Sequence, residues 1–205
     1  MRDPQIRNVV FDIGNVLVTW SPETIVRRTF GDGAPIARLT AEIFGSELWR
    51  SLNRGELSER EAMLSYRAQL GLDESTVEAL FHHTKASLDL IEDTAKLVAR
   101  LDELGFALFA LTDNVHEIVA YLRRRYTFWQ HFAGVVSSAE VRVLKPDPAI
   151  FWHLLETHRL RADQTVFFDD VERNVEGAAR VGIHGRLFVD PAGCERDLRA
   201  LGVLV

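Results

Sequence analysis

Cysteine is nearly absent from this sequence, with Cys194 as the single example among 205 residues. One cysteine excludes an internal disulfide, and we therefore expect a reducing compartment, the cytoplasm. Residues 1–4 lack the apolar core of a signal peptide, and no apolar run approaches membrane-spanning length, so we expect no membrane partner. Cys194 stands in a polar segment late in the chain, where we expect an incidental thiol.

Positive charge is also in deficit. The chain has 24 Lys and Arg residues against 30 Asp and Glu residues, a net charge of −6. This balance argues against a nucleic-acid-binding surface. It leaves open an anionic small molecule, because a few local cations and a metal can dominate a cleft. The apolar share of 47% is ordinary for a globular protein. We expect one sizeable domain, or one domain with a smaller insertion.

The order of predicted elements indicates an α/β fold. A strand over 7–13 precedes a long helical stretch over 22–87, and helices and strands then alternate. The later strands are predicted at 106–111, 134–136, 165–168 and 183–189, and the helices at 93–104, 115–125, from 147 onward, and at 174–181. Crossover helices between short apolar strands predict a parallel, doubly wound sheet. The helical stretch would form a cap over the end of the first strand.

Polar side chains follow the predicted strands at the points where they end. The set consists of Asp12 after the first strand, Thr112 and Asn114 after the second, Lys145, and the pair Asp169 and Asp170. Ligands of open α/β sheets bind at this edge. Three carboxylates would repel a phosphate, but their oxygens suit Mg²⁺, which resolves the conflict. Lys145 and donors near Thr112 would stabilise the remaining phosphoryl oxygens, and Asp12 could attack phosphorus.

Four segments in order resemble the motifs of the haloacid dehalogenase superfamily. They are FDIGNVL at 11–17, LTDN at 111–114, LKPDP at 144–148 and FFDD at 167–170. Each motif is weak alone, and together they are specific. The helical stretch resembles the small helical (C1-type) cap of one branch, and residues 53–58 resemble the cap segment of the bacterial α-D-glucose-1-phosphate phosphatase group. The resemblance implies a Rossmann-like core domain over 1–18 and 88–205 and a cap domain over 19–87.

The resemblance also implies a role for each candidate residue. Asp12 would be the nucleophile and a Mg²⁺ ligand, with the Gly14 carbonyl and Asp170 as further ligands, and Asp169 would ligate through water or hold Lys145. Thr112, Asp113, Asn114 and Lys145 would bind the phosphate, and Asn53 and Arg54 would contact the substrate. The implied activity is Mg²⁺-dependent hydrolysis of a small phosphorylated metabolite, in particular a sugar phosphate, through an aspartyl-phosphate. The sequence does not indicate the oligomeric state.

Gly14 departs from the family pattern. Many phosphatases of the family carry a second Asp at this position, which protonates the leaving oxygen and then activates water. Three interpretations stay open, in this order of preference. The substrate has a better leaving group, such as an anomeric, acyl or aryl oxygen; another group substitutes, with His116, Asp113, Glu56 or solvent as candidates; or the protein only binds a phosphate without catalysis.

A 2-haloacid dehalogenase is the alternative enzyme class. The family resemblance implies that dehalogenases need no metal, carry a bulky aromatic residue at position 14 and lack the paired Asp of the last motif. Gly14 together with Asp169 and Asp170 therefore favours the phosphatase.

Two further expectations concern neighbouring residues. Trp20 and Trp49 flank the expected crevice and are candidate ligand contacts, and Asn174 is expected to brace a loop.

Overall fold

The computed structural model describes residues 6–204, so residues 1–4 lie outside the described part. Within that part, five strands form one sheet in the order β3-β2-β1-β4-β5, and all four pairings are parallel. The strands are β1 (Asn8–Phe11), β2 (Ala107–Thr112), β3 (Gly134–Ser137), β4 (Thr165–Asp169) and β5 (His184–Leu187). This confirms the predicted α/β fold with a parallel sheet.

The central strand β1 aligns the ends of its neighbours. Phe11 pairs with Ala110 of β2 on one side and with Phe168 of β4 on the other. The amide of Asp12 donates to the Phe168 carbonyl over 2.9 Å, which extends the ladder by one residue. Both faces of β1 are covered, as is usual for a parallel strand of continuous apolar residues. The carboxyl ends of β1, β2 and β4, which are adjacent strands, are therefore aligned at one edge of the sheet.

Helices pack on both sides of this sheet and connect its strands. They are α6 (Glu92–Glu103), α7 (His116–Arg125), α8 (Ser138–Val141), α9 (Pro148–His158), α10 (Glu172–Arg180) and α11 (Pro191–Ala200). Helix α9 begins as the sequence predicts, with the Asp147 side chain accepting from the Ala149 amide and with Pro148 in the first turn. The last strand is shorter than predicted, and α10 begins two residues earlier.

Helix α11 corrects the expectation for Cys194. The segment is an amphipathic helix, and Cys194 and Leu198 lie on its buried face within the main core. Cys194 is 2% exposed, and burial raises the pKa of its thiol above the usual range. The sequence misled here because two inward positions four residues apart are easily hidden among polar neighbours. The thiol is a packing group in the core.

The stretch between β1 and α6 is helical throughout, as predicted. It contains α1 (Pro22–Phe30), α2 (Ile36–Phe44), α3 (Glu47–Asn53), α4 (Glu59–Leu70) and α5 (Glu74–Ala86). Helix α4 begins with a capping box, in which Ser58 and Glu61 exchange side-chain-to-backbone hydrogen bonds. We call α1–α5 the helical insertion; its division from the rest as a separate domain over 19–87 stays a prediction.

Across the described residues, none of the helices combines the length and the apolar composition required to traverse a bilayer.

Candidate active site

One lysine bridges two carboxylates at the carboxyl edge of the sheet. The Nζ atom of Lys145 lies 2.9 Å from Oδ1 of Asp12 and 2.7 Å from Oδ2 of Asp169. It also donates to the Leu111 carbonyl over 3.2 Å. Lys145 and both carboxylates are buried. These distances bring together residues from all four sequence motifs.

Three carboxylates form a compact cluster. Asp12, Asp169 and Asp170 each present an oxygen, and these atoms all lie within 4.8 Å of one another. The oxygens of Asp169 already accept hydrogen bonds. Their donors are the Lys145 ammonium, the backbone amide of Val171, and the side-chain amide of Asn174, which lies within hydrogen-bond distance of both oxygens. Asp12 and Asp170 retain more unused lone pairs. A hard cation with oxygen ligands, such as Mg²⁺, fits this donor set.

Asn174, for which the sequence suggested a local cap or loop brace, holds the carboxylate of Asp169. Its Nδ2 atom lies 3.0 and 3.1 Å from the two oxygens of Asp169. Of the two roles left open for Asp169, holding Lys145 corresponds to an observed contact. This brace fixes the carboxylate that in turn orients the lysine.

The raised pKa values of two carboxyl groups in the cluster show that the protein alone does not fully stabilise their ionised forms. Burial raises the pKa of Asp12 to about 7, although Lys145 opposes the shift. Burial also raises the pKa of Asp170. Burial by itself would lower the pKa of Lys145, but Asp12 and Asp169 hold it above its usual value. A divalent cation would favour the ionised carboxylates and relieve this imbalance.

The loop after β1 connects the cluster to the helical insertion. Asn15 has a positive φ of 51°. Its Nδ2 donates to Oδ2 of Asp170 over 2.9 Å, and its Oδ1 accepts from the Trp20 amide over 2.8 Å. Gly14 is not confined by crowding: a Cβ built there would meet only the Trp20 Cβ, at 3.8 Å. A Cβ atom at position 14 would therefore meet only ordinary van der Waals contact.

A cavity of about 530 Å³ opens over the cluster. The predicted site residues in its lining are Asp12, Gly14, Asn53, Thr112, Asp113, Asn114, Lys145 and Asp170. Trp20 and Trp49 line it as well, as expected from their positions beside the crevice. Asp169 lies beneath the lining and is fully buried.

Arg54 lies outside this lining. Its guanidinium pairs with Glu56 over 2.7 Å and also contacts Glu47. Arg50, one helical turn earlier, lines the cavity instead, and Arg173 of α10 does so from the other side. The sequence reasoning missed both arginines. The signal for Arg50 was its spacing of four residues from Arg54, which places the two on neighbouring parts of one helix face.

Of the three side chains considered as substitutes for the missing acid, Asp113 alone lines the cavity. Its Oδ1 accepts from the Lys145 amide over 3.0 Å, and burial raises its pKa. His116 is exposed at the start of α7, and Glu56 is exposed and paired with Arg54. Solvent and Asp113 are thus the two remaining proton sources that contact the cavity.

A buried hydroxyl joins the helical insertion to the strand ends. Ser138 donates to the Asn53 carbonyl over 2.6 Å and accepts from the Asn114 amide over 3.0 Å. Beside it, Gly55 has a φ of 65°, and a Cβ there would lie 2.3 Å from the Ala139 carbonyl oxygen. Only glycine permits this approach of α3 to α8. Both contacts fix the insertion over the cavity.

Comparison with known proteins agrees with the geometry. Residues 6–182 match the family model for haloacid dehalogenase-like hydrolases. The sesquiterpene phosphatase astK of Aspergillus oryzae is 29% identical over 192 residues, covering 94% of each chain. The glyceraldehyde 3-phosphate phosphatase of Methanopyrus kandleri is 27% identical, covering 87% of this chain and 82% of that one.

A solved structure gives the same result for the fold. It is a haloacid dehalogenase family enzyme of Bacteroides thetaiotaomicron in complex with magnesium and inorganic phosphate. It is 21% identical to this chain, with a TM-score of 0.75, and the match covers 89% of this chain and 93% of that one. The family predicted from the four motifs is therefore confirmed: the chain belongs to the haloacid dehalogenase-like hydrolases.

Proposed function

We propose that the protein is a Mg²⁺-dependent phosphatase that hydrolyses a phosphate monoester of a small molecule through an aspartyl-phosphate on Asp12. One observation carries the proposal: Lys145 bridges Asp12 and Asp169, and both carboxylates lie within 4.8 Å of Asp170. Two relatives are named as phosphatases, and the related bacterial structure holds magnesium and phosphate. These findings support the same reaction class for this chain.

The metal would be held by Asp12, Asp170 and the carbonyl of Gly14, with Asp169 left to position Lys145. Bound there, Mg²⁺ would supply positive charge that neutralises phosphoryl oxygens beside the carboxylates. The unused lone pairs of Asp12 and Asp170 and the raised pKa of each support this choice of ligands. Gly14 lines the cavity next to them.

The reaction follows from the positions of the chain's own groups. A carboxylate oxygen of Asp12 attacks phosphorus, and the bond from phosphorus to the leaving oxygen breaks. Lys145, the hydroxyl of Thr112 and the amide of Asp113 donate to the phosphoryl oxygens, on which charge develops. Water then attacks the phosphorus of the aspartyl-phosphate, which releases phosphate and regenerates Asp12.

Gly14 shapes the first step. Position 14 holds no carboxylic acid, so the leaving oxygen departs with a proton taken from solvent or from Asp113, or departs unprotonated. Substrates whose leaving oxygen is weakly basic should react fastest. The relatives are named for a sesquiterpene and for glyceraldehyde 3-phosphate, so their names do not fix the substrate here. The sugar phosphate expected from the sequence stays a prediction.

Phosphate release measured with and without Mg²⁺ tests the proposal. The substrates are p-nitrophenyl phosphate and a panel of sugar 1-phosphates, and Asp12→Asn serves as the inactive variant. We expect turnover that requires Mg²⁺ and disappears in Asp12→Asn. Metal-independent release of chloride from 2-chloropropionate would instead identify a dehalogenase. Binding of inorganic phosphate without turnover of any ester would identify a non-catalytic binding protein.

A further inference from the structure

We propose that the organic group of the substrate is an apolar hydrocarbon, which occupies the part of the cavity formed by the helical insertion. The inference rests on the proposed phosphatase activity and names its substrate class. The cavity has two chemically different parts. One part of its lining is the carboxylate cluster with Lys145, and another part, beginning beside Gly14 at Trp20, consists of aromatic and aliphatic side chains.

Three aromatic rings form the wall of the apolar part. The indoles of Trp20 and Trp49 stack with centroids 5.8 Å apart and planes 13° apart. Phe44 meets both edge-on, at 5.4 Å from Trp20 and 4.9 Å from Trp49. All three line the cavity and keep part of their surface exposed to it. We call these residues the aromatic wall; an uncovered apolar surface of this kind beside a catalytic centre is typical of a ligand pocket.

Aliphatic side chains complete the apolar part. Leu88, which follows α5, and Ile118 of α7 line the same cavity and are 2% and 3% exposed. Val18, in the segment between β1 and α1, belongs to the lining as well. The apolar surface thus comes from several parts of the chain: the segment before α1, helices α2 and α3, the segment after α5, and α7.

Arg50, which follows Trp49 in the cavity lining, is already paired by the protein. It donates Nε to Glu47 over 2.7 Å and Nη1 to the Gly45 carbonyl over 2.9 Å. The carboxylate of Glu47 compensates its charge, and these contacts use two of its five N–H donors.

Of the two side-chain amides in this part of the lining, one is engaged at its nitrogen and the other at both ends. Asn53 donates its Nδ2 to the Trp49 carbonyl over 2.8 Å. Asn15 uses both ends of its amide, donating to Asp170 and accepting from Trp20. The other polar side chains of the lining belong to the segments that follow β2 and β4 around the cluster; they are Thr112, Asp113, Asn114, Asp170, Arg173 and Asn174.

This division of polar groups has a predictable effect on selectivity. A sugar placed against the aromatic wall would leave hydroxyls without partners, which is costly in a buried site. A hydrocarbon placed there gains from each group removed from water, by a factor of about four in binding for each buried CH₂. The same cavity should therefore discriminate strongly in favour of the hydrocarbon ester.

A series of 4-alkylphenyl phosphates with increasing alkyl length tests this inference. The leaving phenol changes little in basicity along the series, so kcat/KM reports burial of the tail. We expect kcat/KM to rise by roughly two- to fourfold for each added CH₂ until the cavity is filled. Phenyl phosphate, acetyl phosphate and glucose 1-phosphate are measured beside it, all with Mg²⁺.

The outcomes separate the two proposals. If kcat/KM stays constant or falls with alkyl length, or is higher for glucose 1-phosphate than for the longest ester, the inference is wrong. Turnover of phenyl phosphate or acetyl phosphate would in that case still support the phosphatase activity. If neither the esters nor acetyl phosphate, an acyl phosphate, is hydrolysed, both the phosphatase proposal and this inference are wrong. A rising series supports both.

Substitutions in the aromatic wall assign the effect to this part of the cavity. Trp49→Gln should flatten the alkyl series and lower kcat/KM for the longest ester by at least roughly tenfold, a larger factor than for acetyl phosphate. Trp49→Leu keeps an apolar surface and should retain a rising series. Trp152→Gln is the matched control, because Trp152 is 49% exposed on α9 and lies outside the lining. A series in Trp49→Gln as steep as in Trp152→Gln would contradict the assignment.

Discussion

The ammonium group of Lys145 lies 2.7 Å from Oδ2 of Asp169, and neither side chain is more than 1% exposed. The same nitrogen lies 2.9 Å from Asp12. A single buried cation thus serves two carboxylates, of which one is the proposed nucleophile. The stability of the metal-free protein and the proposed chemistry both depend on this arrangement.

Replacement of the lysine should therefore affect both properties. Lys145→Gln leaves two buried carboxylates without their cation, and we expect a loss of about 3–5 kcal/mol in the free energy of unfolding of the metal-free protein. Urea titration measures the loss. Lys96→Gln is the control, because Lys96 pairs with Asp93 on the surface, where both side chains are more than 70% exposed. Equal effects of the two substitutions would contradict the account.

The response to pH follows from the raised pKa values of the cluster. The pKa of Asp12 is about 7 in the folded protein against 3.8 ordinarily, and that of Asp170 is also raised. The folded state therefore binds protons more tightly than the unfolded state. The contribution of these groups to stability without metal should fall as pH rises from about 4 to about 7.

Magnesium should reverse this trend. Its ligands must be ionised, so binding releases protons and strengthens as pH rises. We expect the increase in Tm produced by a fixed Mg²⁺ concentration to be larger near pH 8 than near pH 5. Asp12→Asn should lose most of the increase at both. An equal increase at the two pH values would argue against metal binding by these carboxylates.

Gly14 gives a gain-of-function test. Wild-type kcat should fall steeply as the leaving group becomes more basic across a series of phosphate esters. Gly14→Asp supplies the missing acid at a position where a Cβ meets only ordinary van der Waals contact. It should raise kcat for the most basic leaving groups by up to about 10²–10⁴-fold and change acetyl phosphate little. Gly14→Asn, of the same size but without a proton to give, is the control. A flat wild-type series with chemistry rate-limiting would exclude the first interpretation of Gly14.

Ser138 gives a prediction about the attachment of the helical insertion. Ser138→Ala removes the donor to Asn53 and the acceptor for Asn114. The Asn53 carbonyl then loses its donor in a buried place, the Asn114 amide loses its acceptor in a partly buried one, and we expect a loss of about 1–3 kcal/mol in the free energy of unfolding. Ser75→Ala, at an exposed hydroxyl of α5, should have a much smaller effect. If the denaturant titration curves of the two variants coincide, the Ser138 contacts do not hold the insertion in place.

The strand ends were predictable from the sequence because each has a clear physical signal. Asp12, Thr112 and Asp169 follow apolar runs that are too short for helices and are flanked by turn residues. Parallel strands then bring their ends to one edge, so three positions distant in sequence meet. Asn174 followed from its place just after the last of these strands.

The walls of the cavity were less predictable, because side-chain pairing decides them. Arg50 lies on α3 and Arg54 directly follows that helix; Arg54 pairs with Glu56 and Glu47 and lies outside the lining, whereas Arg50 lies within it. Such pairings involve long side chains whose partners the sequence does not specify. The inward face of α11, with Cys194, was hidden for a different reason: Cys194 and Leu198 are its only two buried residues, and four charged residues stand around them.

The central claim is that Asp12 becomes phosphorylated, and the mass of the protein measured after rapid acid quench tests it most directly. The protein is mixed with Mg²⁺ and acetyl phosphate, quenched within one turnover and digested. We predict one phosphoryl group on the peptide that contains Asp12, and none without Mg²⁺ or in Asp12→Asn. Turnover without a phosphorylated Asp12 peptide, or with the phosphoryl group on another residue, would contradict the claim.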